Sequence, residues 1–360
     1  MIKLIKMQFK VRKIKQKKSG NIFNKLFGKK TKFLVIFFVS ISIIFFAASK
    51  FFTSEFFLNQ TKRLFSIIDI KKDKFGHTNI LLLGVAGKNE EGGNLSDSIL
   101  IASINPKTPS VSFLSLPRDL FISSGVKKIG DRKLNEIYAA SRWLHHKNSD
   151  EGDQAGLKIV ESSISKFTGI DIHYGVVVNF KIFEDFIDTL GGIQIFVPKA
   201  IHDPYYPDNN YGYQTFTVRK GIQNFDGATA LKYARSRKTS SDYDRAKRQQ
   251  ALILAIKEKA VSLNLLTDFD KLKSFWDLFR KHINTDLGIK DIIALAKIGI
   301  GINYEDTISV VLNDDPMQQG GYLYTPAKEF YEGQFVLLPK NLKETQLFMS
   351  LVLIKPEILI

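Results

Sequence analysis

The chain of 360 residues contains no cysteine. That removes disulfide staples, a lipid-modified cysteine anchor, thiol catalysis and thiolate metal sites. A domain of this length can bury enough apolar surface to fold without cross-links. The first 32 residues contain no acid, yet they hold twelve lysines and arginines. The net charge of +16 is therefore mostly a tail, because the remainder carries 40 basic against 36 acidic residues. Such a distribution does not describe a basic fold that binds nucleic acid over a broad face. Three further motifs are missing. The glycine-rich "GVAGKNEEGG" at 84–93 has no Gly-Lys-Ser/Thr entering a helix, which argues against a Walker-type nucleotide site. No Gly-x-Ser-x-Gly elbow occurs. His145 and His146 have no second metal motif to pair with.

Directly after the tail comes "FLVIFFVSISIIFFAAS", Phe33 to Ser49, an uncharged run of 17 residues between Lys32 and Lys50. It is close to the minimum for crossing about 30 Å of hydrocarbon. Its flanks are strongly asymmetric in charge, so the positive-inside rule keeps the N-terminus in the cytoplasm and exports the chain from Lys50 onward. The alternative is a cleavable signal peptide, whose apolar core would be unusually long and whose "AAS" is a poor cleavage site. The expected organisation is a basic cytoplasmic tail at 1–32, a transmembrane anchor at 33–50, a stalk at 51–77 and one extracytoplasmic domain at 78–355. The localisation is then the cell membrane, single-pass, with the domain outside.

In the domain, "TNILLLGV" (78–85), "DSILIASI" (97–104) and "VSFLSL" (111–116) read as buried strands, the second and third close enough for a hairpin. Helical patterns come next at 133–146 and 156–168, then a strand at 173–180, a helix at 181–190 and a strand at 193–198. A loop rich in Tyr, Pro, Asn and Asp fills 202–214. A short helix starts near Asp226-Gly227 and a long one covers 242–263. Helices at 270–283, 288–299 and 342–353 and strands at 307–312 and 334–338 complete the chain. This alternation predicts an α/β fold, a layered α-β-α sandwich with a mixed sheet.

Charge is concentrated where such folds build sites. "LKYARSRKTSSDYDRAKRQQ" (231–250) pairs Arg235 with Arg237, two residues apart, and sets Asp242, Arg245 and Arg248 or Gln249 along one side of a helix start. Parallel guanidiniums repel unless an anion lies between them, and a helix N-terminus favours anions, so a phosphate or diphosphate site is indicated. A surface salt-bridge face is the plainer alternative. "SLPRDLFI" places Arg118 and Asp119 where a buried strand ends, and a turn or cap role for Asp119 is again the plainer one. Asp97, just before the second strand, could cap a turn. Opposite a diphosphate it could hold Mg²⁺ through one carboxylate.

The series "ILLLGV", "SDSILIASINP", "SFLSLPRDLFI", "KLNEIY", "DTLGGIQIFV", "FDGATALKYARSR" and "SDYDRAKRQQ", preceded by a basic tail and one span, resembles the LytR-CpsA-Psr family of bacterial envelope proteins over residues 78 to 255. The resemblance implies a phosphotransferase. It would move a glycopolymer from a polyprenyl-diphosphate lipid carrier to a peptidoglycan sugar hydroxyl, at the membrane lipid surface and without nucleic acid. It also implies that Arg118 and Asp119 are catalytic. Arg118, Arg235, Arg237, Arg245, Arg248 and Gln249 would bind the diphosphate, Asp242 would support them, and Asp97 would hold Mg²⁺. Two positions depart from the family pattern. A second metal aspartate is missing where the loop reads Gly84-Val85-Ala86-Gly87, with Glu90 and Glu91 the nearest possible substitutes, and Leu95 stands where the family has an arginine. A non-catalytic receptor for polyprenyl-diphosphate glycans and a diphosphate hydrolase remain as alternatives.

Overall fold

The computed structural model describes residues 70–87, 92–145, 149–208, 212–236, 242–265, 267–280, 282–303 and 306–355, with side chains in the helix from Asp242 described from Asp244 onward. The basic tail, the apolar run, most of the expected stalk, Glu90, Glu91 and Arg237 lie outside the described residues. No helix among the described residues is long and apolar enough to cross a membrane.

Three strands form the antiparallel centre of the sheet: β1 (Thr78–Val85), β2 (Ser96–Asn105) and β3 (Ser110–Ser115). The expected hairpin is β2–β3, and Asn105 sets its turn by accepting from the amides of Lys107 and Thr108 through Oδ1. β6 (Tyr174–Asn179) adds parallel to β1, and β12 (Thr307–Val311) adds parallel to β3. The two-residue β11 (Asn284–Thr285) closes one edge, giving the order β11-β6-β1-β2-β3-β12. The mixed sheet agrees with expectation. Asp97 lies within β2 rather than before it.

Successive side chains of a strand face opposite ways, and here both faces are covered, which explains the unbroken apolar run of β1. Leu81, Leu83, Ile101 and Leu114 pack on one side against α1 (Leu134–Leu144), α2 (Asp150–Thr168) and α8 (Leu342–Ile354), through Ile137, Leu157, Ile164, Phe348 and Val352. Ile80, Leu100, Ala102 and Phe113 face the other way. Their neighbours are Ile253 of α5 (Asp242–Ser262), Trp276 of α6 (Phe269–Phe279), and Ile292 and Ile298 of α7 (Ile289–Ile300). The layers are therefore α-β-α.

A satellite core lies beside the sheet. It joins α3 (Phe180–Thr189), α4 (Gly227–Arg235), the β7–β10 pair (Ile193–Val197 with Gly221–Phe225) and a hairpin of β8 (Ile201–Pro207) and β9 (Tyr213–Val218). That hairpin occupies most of the segment expected as a loop. Pro204 and Pro207 hide the strand signal, and the register slips between Asp203 and Tyr206, a bulge where proline is tolerated. The strand expected at 334–338 shrinks to β14 (Leu338–Pro339), paired with β13 (Leu323–Tyr324). α2 starts at Asp150, six residues before the apolar pattern, because Ser149 caps it by accepting from the Gly152 amide. A short hairpin of β4 (Phe121–Ser123) and β5 (Asp131–Lys133) comes after the charged loop that ends β3. The last residues of the expected stalk are fastened to the domain: Ile70 is buried, the Lys71 amide donates to the Tyr174 hydroxyl at 3.2 Å, and Thr78 Oγ1 donates to the Lys71 carbonyl at 2.7 Å.

Candidate functional site

The C-terminal ends of β1, β3, β6 and β12 and the N-terminal end of β2 share one edge of the sheet, the usual place for a site in such folds. β3 stops before Pro117, and Arg118-Asp119 comes next. The loop is clamped by its main chain: the Leu134 and Asn135 amides donate to the carbonyls of Leu120 and Arg118, and the Leu337 amide donates to that of Asp119. Leu120 is fully buried and acts as the anchor.

Arg118 stands between two acids. Its Nη1 donates to Asp97 Oδ1 at 2.7 Å, and its Nε is 3.5 Å from Asp119 Oδ2. Burial opposes the charge on Arg118, but the bond and charge of Asp97, then those of Asp119, outweigh it and raise its pKa. Lys133 Nζ holds the other oxygen of Asp119 at 3.0 Å, delivered by the pairing of β5 with β4. The side chains of Arg118 and Asp97 are 36% and 42% exposed, so this pair adds little stability and stays open to a ligand.

Arg235 reaches the same sheet edge from the end of α4. Asp226 caps that helix by accepting from the Thr229 amide at 2.8 Å. Gly227 is required: a Cβ there would lie 2.3 Å from the Glu184 carbonyl oxygen, so only glycine lets α4 rest on α3. The Arg235 guanidinium sits 4.1 Å from the centre of the Phe180 ring, and Nη1 donates to the Tyr206 hydroxyl at 3.3 Å. Phe180 is the residue after the end of β6, and its amide donates to the Ala86 carbonyl after β1 at 3.4 Å. Burial raises the pKa of Tyr206, outweighing Arg235, whose charge and hydrogen bond pull it down.

The other predicted residues divide. Gln249 joins the group, since its Oε1 accepts from Ser98 Oγ at 2.7 Å and ties α5 to β2 beside Asp97. Arg245 is half-buried on the first turns of α5. Arg248 points inward at 8% exposure. It donates through Nε to the Tyr233 carbonyl at 2.9 Å and through Nη2 to the Ser236 carbonyl, bracing the end of α4 that carries Arg235. Burial lowers its pKa, against the pull of Tyr233, Asp244 and Asp203. Asp242 opens α5, and its side chain lies outside the described residues, as does Arg237. Sequence reasoning missed Phe180, Tyr206 and Lys133. Lys133 stood in the quoted "KLNEIY", but nothing local tied it to Asp119.

Among the described residues no group of three or more His, Asp or Glu could hold a metal ion. The donor set is one carboxylate. Asp97 Oδ2 makes no hydrogen bond or ion pair among the described residues, while Oδ1 is held by Arg118. That fits a magnesium ion held by one carboxylate and by substrate phosphates, and it does not fit a cage built by protein alone.

The LytR_cpsA_psr family signature matches residues 51–333. The chain belongs to the LytR_cpsA_psr family. It is 26% identical over 282 residues to the polyisoprenyl-teichoic acid–peptidoglycan teichoic acid transferase TagT of Bacillus subtilis, covering 77% of this chain and 76% of TagT. It is 28% identical over 271 residues to an uncharacterized Staphylococcus aureus protein, covering 73% of this chain and 62% of that longer one. The solved structure of TagT bound to LIIa-WTA superposes with a TM-score of 0.56 at 24% identity, over 80% of this chain and 95% of that chain, and it shares the fold.

Proposed function

We propose that this family member transfers a glycopolymer from a polyprenyl-diphosphate carrier to a sugar hydroxyl of peptidoglycan, forming a phosphodiester. The observation that carries this is Arg118 poised between Asp97 and Asp119 on the sheet edge that also holds Arg235. The names of the relatives support the substrate class.

The contacts suggest the order of events. The arriving diphosphate draws Arg118 away from its acids, because a guanidinium fork binds two phosphate oxygens at once. Asp119 Oδ2 is thereby freed while Lys133 still fixes Oδ1. The acceptor hydroxyl oxygen attacks the glycan-bearing phosphorus and its proton passes to Asp119. The bond from that phosphorus to the bridging oxygen breaks, and polyprenyl phosphate leaves with the negative charge, which Arg118 and Arg235 stabilise. Such transfer depends on positioning and charge neutralisation rather than on a covalent protein intermediate. Magnesium on Asp97 would add neutralisation of the diphosphate.

The second face of the sheet suits the prenyl chain. Leu82, Ile104, Val176, Trp276, Ile292, Leu295 and Ile298 are only partly buried there. An open cavity of about 610 Å³ lies where α5 gives way to α6, lined by Leu263, Leu265, Phe275 and Leu278. A membrane anchor at 33–50 would keep the domain at the surface that holds its lipid. Turnover of a labelled lipid-linked glycan, with and without peptidoglycan, tests the proposal. Label joined to peptidoglycan is expected. Acceptor-independent release indicates a hydrolase, and binding without turnover indicates a receptor.

A further inference from the structure

A second, smaller cavity lies on the same edge of the sheet, on the side of Asp119 away from Arg235. Its volume is about 250 Å³, and Val310, Val311, Asn313, Gln318, Gln319 and Gly320 line it. Ligand pockets for drug-sized molecules span roughly 300–1,000 Å³, so this one is the size class of a single ring. Its polar groups are amides rather than charges. A side-chain amide donates through its nitrogen and accepts through its oxygen, as sugar hydroxyls and acetamido groups require.

The cavity is built rather than incidental. The Asn313 amide donates to the Gly320 carbonyl at 2.8 Å, and the Leu323 amide donates to the Asn313 carbonyl at 2.9 Å. A Cβ on Gly320 would lie 1.7 Å from the Val311 carbonyl oxygen, so the chain turns back on itself only with glycine there. Asn313 Nδ2 is committed to the Val311 carbonyl, and Gln318 Nε2 to Asp315. The exposed Gln319 amide and Gln318 Oε1 make no hydrogen bond among the described residues.

Position selects the ligand. Val311 pairs with Ser115 and the Leu312 amide donates to the Ser115 carbonyl, so the chain leaves β12 beside the strand end that leads into the Arg118-Asp119 loop. The segment that leaves the cavity returns to the same loop, where Leu337 bonds to Asp119 and Phe121 through the main chain. Across the sheet edge the order is Arg235 near β6, Asp97 on β2, Arg118 and Asp119 after β3, and the amide cavity after β12. In-line displacement at phosphorus puts the attacking and leaving oxygens on opposite sides. With the leaving polyprenyl phosphate held on the arginine side, the acceptor enters from the β12 side.

We infer that the Asn313–Gly320 cavity is the acceptor subsite, which holds an N-acetylhexosamine ring of the glycan whose neighbouring hydroxyl is delivered to Asp119. This rests on the transfer reading above and adds to it a place for the second substrate.

The test uses the whole chain and a β-1,4-linked N-acetylhexosamine tetrasaccharide, titrated in the absence of donor. Gln319→Ala and the Gln318→Ala/Gln319→Ala double variant are exposed changes that leave Gly320 in place, and a thermal melt checks that both fold. The expected result is a Kd for the tetrasaccharide raised tenfold or more in the double variant, with Kd for the polyprenyl-diphosphate disaccharide unchanged. An unchanged tetrasaccharide Kd, or no tetrasaccharide binding by the unaltered chain, overturns the inference. A weakened donor Kd with acceptor affinity intact also overturns it, since the cavity would then hold the donor's sugar. Tetrasaccharide binding that depends on these amides in a chain without transfer activity keeps the subsite and sinks the proposed reaction instead.

Discussion

The two faces of the central sheet are built from the same strands, yet they are packed differently. Toward α1, α2 and α8, Leu81, Ile101, Leu114, Ile137, Leu157, Met349 and Val352 are all at 0% exposure, so that face is sealed at its centre, with Ile159, Phe167, Ile172 and Tyr322 partly buried around it. Toward α5, α6 and α7, buried Leu100 and Phe113 are interleaved with half-covered Leu82, Ile104, Trp276 and Ile298. Protein interiors are normally close-packed. A face that leaves apolar groups half-covered beside a cluster of cations gives up some stability and keeps room for an amphiphile. On the proposed function, the sealed face would hold the fold while the other face and its edge would serve the substrate.

The largest expected effect breaks the sealed side. Leu157→Ala should cost about 2–5 kcal/mol of unfolding free energy, the range for a buried leucine. Ile298→Ala on the open face should cost less than half as much in a denaturant melt, while weakening donors with long prenyl chains more than short ones. Equal losses at the two positions would erase the distinction between the faces.

The arginines sharpen the same contrast. Arg118→Ala and Arg235→Ala should each lower transfer by about 10²–10³-fold, the usual loss when a charge-stabilising donor is removed. Their folding cost should stay below about 1 kcal/mol for Arg118, whose ion pairs are partly exposed. Arg248→Ala should reverse the pattern, because it strips partners from the Tyr233 and Ser236 carbonyls at a cost of about 1–3 kcal/mol in stability. Comparing melting temperature with kcat for the three variants decides whether Arg248 is a brace or a ligand.

How much of the molecule is legible in the sequence depends on the reach of each signal. The apolar runs of β1, β2 and β3 and the charged loop after Pro117 are readable because the period and the stop signal are local. Arg118 and Asp97 are readable as charges set at strand ends for the same reason. The Arg235–Phe180 contact joins positions 55 apart in sequence, and Lys133–Asp119 depends on a hairpin whose two strands have three residues each, so neither leaves a local trace. Helical spacing places Arg248 beside Arg245 but says nothing about which side faces the interior. The β8 strand is hidden by prolines that a bulge accommodates.

A smaller effect concerns metal. With Asp97 as the one carboxylate, transfer should be stimulated by magnesium yet saturate only at high concentration, and Ala86→Asp should lower the concentration needed severalfold. Activity indifferent to chelator, or an unchanged magnesium requirement in the variant, would mean that Asp97 serves Arg118 alone.

The smallest expected effect lies in the sealed side. Glu161 is 6% exposed and packs against Gly175, where a Cβ would fall 2.5 Å from its Oε1. Burial raises its pKa above the ordinary 4.5 despite the Lys158 bond. The folded state therefore holds this proton more tightly than the unfolded one. The stability it contributes is present below pH 4.5 and is lost as pH rises through the raised value. Glu161→Gln should leave the melting temperature unchanged at about pH 4 and raise it by about 2 °C at about pH 8. A gain in acid equal to that in base would show that ionisation is not the cause.

If the arginine edge of the sheet is a diphosphate site, a thermal melt with and without polyprenyl diphosphate shows it most directly. The unaltered chain should gain about 2.7 kcal/mol of stability at a roughly hundredfold excess of ligand over Kd. The Arg118→Ala/Arg235→Ala double variant should melt near the same temperature without ligand and lose most of that gain. A double variant that melts much lower without ligand, yet keeps the full ligand shift, would make these arginines structural and put the diphosphate elsewhere.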